Sequence, residues 1–109
     1  MKGTITSKQE IERLFRQGRR SSSSVAVVIV LPSQAEDGTG RCMYVAGKKL
    51  GTAPLRNRCK RVLRHVASEL DAPWQGYDVV FMARRGVAHA PHQQVAGQVQ
   101  RSLRKLGVL

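Results

Sequence analysis

The run "VAVVIVL", residues 25–31, constrains the fold more than any other stretch of the chain. It is rich in β-branched residues and apolar on both alternating faces, so it predicts a strand covered on both sides. Pro32 ends it. The turn-rich "SQAEDGTG" follows, and "RCMYVA", 41–46, reads as the returning strand of a hairpin. "YDVVFMA", 77–83, is a third strand of buried character.

Helical patterns separate these strands. Ser7 to Glu10 reads S-x-x-E, a capping box, and Ile11, Leu14 and Phe15 then share one face. With Gly18 as the stop, a first helix is expected over about 8–17. "RRSSSS" after it reads as exposed chain leading into the strand at 25–31. A second helix begins near Thr52, a good N-cap, with Pro54 in the first turn where its missing N–H is harmless. Leu55, Cys59, Val62, Leu63, Val66 and Leu70 form its apolar stripe. "DAPWQG" breaks it, with Trp74 as a loop anchor. A third helix is expected from about Pro91 to Leu106, with Val95, Val99, Leu103 and Leu106 facing inward and no good N-cap. The order α-β-β-α-β-α predicts a single α+β sandwich over residues 1–109.

Charge narrows the function. Nineteen Lys and Arg stand against seven Asp and Glu, a formal net charge of +12. Self-repulsion of that size opposes compactness, so it points to a polyanionic partner. A membrane is the weaker candidate, because the longest apolar run is that of residues 25–31 and a span needs roughly 20. No apolar stretch follows Lys2, so no secretory signal is read and the cytosol is expected. Cys42 and Cys59 form no CxxC pair and read as small buried thiols.

The charge is concentrated. From Gly38 to Ser68 there is no acid and there are eight Lys or Arg. On a helical wheel Asn57, Lys60, Arg61 and Arg64 fill the face opposite the apolar stripe, and Arg56 and Arg58 sit at its two borders. A merely solvated helix face mixes signs at i, i+4. This one has no partner acids. Its arginines carry planar forks suited to phosphate.

Catalytic chemistry is harder to find. Metal-assisted phosphodiester cleavage needs clustered carboxylates, and the seven acids are scattered. His89 and His92 are the only close histidine pair, and they straddle a proline. Gly47 to Gly51 lacks P-loop spacing. The chain therefore reads as a binder, with no catalytic residue and no metal ligand assigned. Phe15 and Tyr44 are the best candidates for base stacking.

Read with its flanks, "KKLGTAPLRNRCKRVLRH" resembles the signature of the bacterial ribonuclease P protein subunit. Lys48, Lys49, Gly51, Ala53, Arg56, Asn57, Arg58, Lys60, Arg61 and Arg64 match it in type and spacing. "LFRQG", "RRSSSSVAVVIVL" and "YDVVFMARRG" extend the likeness along nearly the whole chain. The resemblance implies an α/β sandwich with a mixed sheet and a left-handed βαβ crossover, an exception to the right-handed rule. It implies an accessory subunit of an endoribonuclease that removes the 5′ leader of precursor tRNA. The catalytic centre would be RNA, with magnesium held by that RNA and no cofactor on the protein. Lys48, Lys49, Arg56, Asn57, Arg58, Lys60, Arg61 and Arg64 would bind the catalytic RNA. Phe15, Tyr44 and Arg84 would bind the leader, in a cleft between the first helix and the sheet. The alternatives are a ribosome-associated RNA-binding protein of related fold and a basic DNA-binding module. The second is less supported, because no turn and recognition helix accompany the basic helix.

Overall fold

The computed structural model describes residues 8–109. The capping box expected at Ser7 lies outside them. In chain order the elements are α1 (Lys8–Gln17), β1 (Arg19–Ser22), β2 (Ala26–Pro32), β3 (Arg41–Val45), a 3₁₀ turn (Lys48–Leu50), α2 (Ala53–Glu69), β4 (Tyr77–Ala83), α3 (Gly86–His89) and α4 (His92–Lys105). The architecture is the expected α+β sandwich around a four-stranded mixed sheet of order β1-β2-β4-β3. β3 and β4 run parallel and are joined through α2, which makes the βαβ unit.

Two expectations change. "RRSS" is not a lead-in but the edge strand β1, antiparallel to β2 with Arg19 opposite Val30 and Ser22 opposite Val27. Ser23 makes the turn: its backbone N–H donates to the Ala26 carbonyl, and its hydroxyl accepts from Val25 and Ala26 N–H. The hairpin partner of β2 is therefore β1. β3 does not return along β2, because β4 lies between them. The burial patterns give the reason. β2 and β4 are apolar on both faces and buried through their middles, so they take the two central positions. β1 and β3 carry polar or half-exposed residues and tolerate the edges. The loop after β2 is tied to the turn before β4, through Ser33 N–H to Gly76 O and Gly76 N–H to Gly38 O.

Helices α2, α3 and α4 pack on one face of the sheet. Val28, Val30, Val79 and Phe81 meet Cys59, Leu63, Val66, Val95, Val99 and Leu103 there. Trp74 closes one end of this core as a loop anchor, its indole N–H donating to Leu70 O at 2.7 Å. α1 lies on the other face, where Leu14 packs on Ile29 and Val80. Gly18 ends α1 where the chain passes so close to the sheet that a Cβ would fall 2.4 Å from Ile29 Cγ2.

Both cysteines are buried and free. Burial is the main cause that pushes the Cys42 thiol from 9.0 up to about 12, against a hydrogen bond with Tyr44 that pulls it down. Burial raises Cys59 as well. Folded Cys42 keeps its proton where the unfolded thiol loses it, so stability falls as pH rises past about 9. At pH 8, iodoacetamide should label Cys42 of the native protein about a thousandfold more slowly than in the urea-unfolded chain, following the thiolate fractions. Equal labelling rates by peptide mass spectrometry would contradict this.

Candidate nucleic-acid interface

α2 is started by its own local sequence. Gly51 adopts φ 138°, a conformation that suits glycine. Thr52 then caps the helix, its hydroxyl oxygen 3.5 Å from Leu55 N, and Pro54 occupies the first turn. The first turn holds no acid. Arg56 and Arg58 thus stand near the positive end of the helix dipole, the end that disfavours cations and favours anions.

Asn57, Arg58, Arg61 and Arg64 are exposed on α2, and Lys48 and Lys49 are exposed on the 3₁₀ turn just before it. Arg56 and Lys60 are half-buried. The two border arginines of the wheel are thus not equivalent. Ala67 is fully buried beside Leu63, whereas Leu55 and Val62 are only half-buried. The helix is rolled toward its Arg56 and Lys60 edge, because the small Ala67 allows a close approach there. Arg56 Nε is buried with no hydrogen-bond partner among the described residues, an unmade bond of a kind that costs about 1–3 kcal/mol.

The residues assigned to the leader do not form one set. Tyr44 lies on the α2 side of the sheet. Its ring stacks on Phe81, with centroids 5.3 Å apart and planes 7° from parallel. The Arg64 guanidinium lies over it at 5.2 Å. Tyr44 therefore supports the arginine face and does not share a cleft with Phe15, which packs on the opposite side of the sheet. The cause is strand alternation: Cys42 and Tyr44 point to α2, while Arg41, Met43 and Val45 point to α1.

On that α1 face the register sets up cross-strand rows. Ile29, Val80 and Met43 form one, and Val27, Met82 and Val45 form the next. Leu14 covers the first row. The second row stays half-exposed, leaving an apolar strip on the face that carries Phe15. Beyond it, Met82, Arg84, Lys49 and Leu50 line a shallow depression of about 340 Å³. Arg84 and Lys49 thus come together, although the sequence assigned them to different RNAs. Val27, Met43, Val45 and Met82 are surface residues that sequence reasoning passed over. For Met43 and Val45 the parity of "RCMYV" was the signal, legible only once the side covered by α1 is known. Arg20 is a further one: it reaches across from β1 to donate to Phe15 O at 2.6 Å.

Comparison with known proteins identifies the family and the fold. The ribonuclease P protein component of Symbiobacterium thermophilum is 35% identical, over 96% of this chain and 91% of that one. That of Caldanaerobacter subterraneus subsp. tengcongensis is 32% identical, over 89% and 83%. The fold matches the Staphylococcus aureus RNase P protein with a TM-score of 0.84 at 22% identity, covering 99% of this chain and 98% of that one. It matches the Thermotoga maritima protein with a TM-score of 0.76 at 18% identity, covering 90% and 92%. A family model described as Ribonuclease P matches residues 2–107. With that match over nearly its whole length, the chain belongs to the bacterial ribonuclease P protein family.

Proposed function

We propose that this chain is the protein subunit of a bacterial ribonuclease P and assists removal of the 5′ leader from precursor tRNA. The observation that carries the reading is the exposed, acid-free R-N-R-x-K-R-x-x-R face of α2 in a chain of this family. In this reading Lys48, Asn57, Arg58, Lys60, Arg61 and Arg64, with Arg56 swung outward, lie along phosphates of the enzyme's RNA. Tyr44 holds Arg64 in place beneath them. The strip beside Phe15, with Arg84 and Lys49 at its end, takes the single-stranded leader by apolar contact and charge. Cleavage belongs to the RNA and to the magnesium that the RNA holds. The protein replaces counterions on closely packed phosphates, so less magnesium is needed for the same fold of the RNA. The proposed compartment is the cytosol, where precursor tRNA is processed. Among the described residues no helix is long and apolar enough to cross a membrane.

The test is reconstitution with a bacterial ribonuclease P RNA at low magnesium. Addition of the protein should raise precursor-tRNA cleavage, and no gain would reject the reading. In the same assay Phe15→Ala should weaken binding of precursor tRNA about tenfold while changing mature tRNA little, since one aromatic contact to a base is worth about 1–3 kcal/mol. Equal losses for both substrates would remove Phe15 from the leader site. Circular dichroism checks that the half-buried ring is not needed for folding.

A further inference from the structure

A second cluster adjoins the basic face of α2 at the C-terminal end of the helix, and Arg58 and His92 line one depression. His65 and Glu69 are one turn apart on α2, and His92 opens α4. His92 Nε2 lies 2.6 Å from Glu69 Oε1, and His65 Nε2 lies 3.8 Å from Glu69 Oε2. The two imidazoles face each other with centroids 5.3 Å apart. One ligating atom from each of the three residues lies within 4.8 Å of the other two. Two of the chain's three histidines are gathered on one carboxylate. His89, which the sequence paired with His92, is not part of the group.

A histidine–glutamate hydrogen bond accounts for His92 alone. At 3.8 Å His65 makes no hydrogen bond to Glu69, yet it directs the same ring nitrogen at the same carboxylate. The spacing suits a shared ion. Around a tetrahedral ion with bonds of about 2.0–2.1 Å, the ligand atoms stand about 3.4 Å apart. The observed 2.6 and 3.8 Å run to different oxygens of Glu69, and with one atom taken from each residue the set lies within 4.8 Å, so a modest inward rotation is needed. The side chains are 66%, 50% and 45% exposed for His65, Glu69 and His92, so rotation can close the difference. Glu69 is the only acid on α2. Its charge offsets the repulsion that Arg61, one turn before His65, exerts on a cation.

We infer that His65, Glu69 and His92 form a surface site for a divalent transition ion of the zinc class, with water in the remaining position. Two imidazoles and one carboxylate suit zinc, cobalt or nickel, whereas magnesium takes oxygen ligands and water. Binding uses the imidazole form with Nε2 free of its proton, so His92 exchanges its hydrogen bond to Glu69 for a bond to the ion. The ion joins the end of α2 to the start of α4. Pro91 at the N-cap of α4 makes no side-chain cap bond, so the ion would add a side-chain tie at that end.

The experiment uses the full chain without RNA, so it stands independently of the proposed function. Zinc chloride at about ten times its dissociation constant should raise the unfolding midpoint by about 6 °C. Cobalt(II) should give visible d–d absorption without a thiolate charge-transfer band, because Cys42 and Cys59 are buried. His65→Gln and His92→Gln should each weaken zinc binding at least about tenfold by titration calorimetry, and His89→Gln should leave it unchanged. All three positions are exposed, and circular dichroism verifies the fold of each variant. Absence of a zinc-induced shift in the wild type overturns the inference. So does a shift that survives in the His65→Gln/His92→Gln double variant, or a thiolate band with cobalt.

Discussion

Replacing Arg56 and Arg61 together with alanine should flatten the salt dependence of binding to ribonuclease P RNA by about 1.4–1.8 in log–log slope. Each lost phosphate contact removes about 0.7–0.9. Affinity near physiological salt should fall roughly tenfold or more with it. The two positions report differently. Arg61 is exposed, so its loss touches only the RNA contact. Arg56 is half-buried with an unpaired Nε, so its removal also relieves a cost in the free protein. Arg56→Ala should therefore leave stability level or raise it slightly while weakening RNA binding. Asn57→Ala supplies the control: it removes a hydrogen-bonding amide without a charge, so affinity should fall at unchanged slope. Filter binding at several salt concentrations reads all three. An unchanged slope for the double variant would mean that these side chains are solvated in the complex.

Phe81→Ala should be the most damaging single core substitution, at about 3–5 kcal/mol. Phe81 is fully buried on the central strand β4, with Tyr44 stacked on it and Trp74 tilted against it at 6.1 Å. A domain of this size has about 5–15 kcal/mol in total, so the loss takes a large share. Urea unfolding measures it, and a loss under about 1 kcal/mol would show that the core collapses into the gap. The ring also connects the core to the interface. Phe81→Leu keeps most of the volume but removes the flat surface under Tyr44, and so loosens Arg64 above it. That variant should remain folded yet bind RNA more weakly, and Tyr44→Ala combined with it should add little further loss.

The three long helices were legible because their signals are local. The Thr52 cap, the Pro54 position and the stripe from Leu55 to Leu70 define α2 without reference to any neighbour. Its exposed basic face follows by subtraction. Helix roll was not legible, since the burial of Ala67 depends on what packs beside it. The pairing of strands was misread for a related reason. "VAVVIVL" and "RCMYVA" are adjacent in sequence, and adjacency suggests a hairpin. β4, which takes the place between them, arrives more than thirty residues later and wins it because it needs cover on both faces.

Sequence alone therefore determined most segments: the three long helices, the strands β2, β3 and β4, where the charge gathers and which family the pattern resembles; the edge strand β1 and the short α3 escaped it. Those properties depend on residue spacing along one element. Tertiary structure decided which segments meet. It put Tyr44 under Arg64 and Phe15 on the far side of the sheet, brought Lys49 to Arg84, and set His92 beside His65 and Glu69. Such contacts depend on strand order and helix docking, which arise from competition among all apolar surfaces for burial. No single segment carries the outcome of that competition.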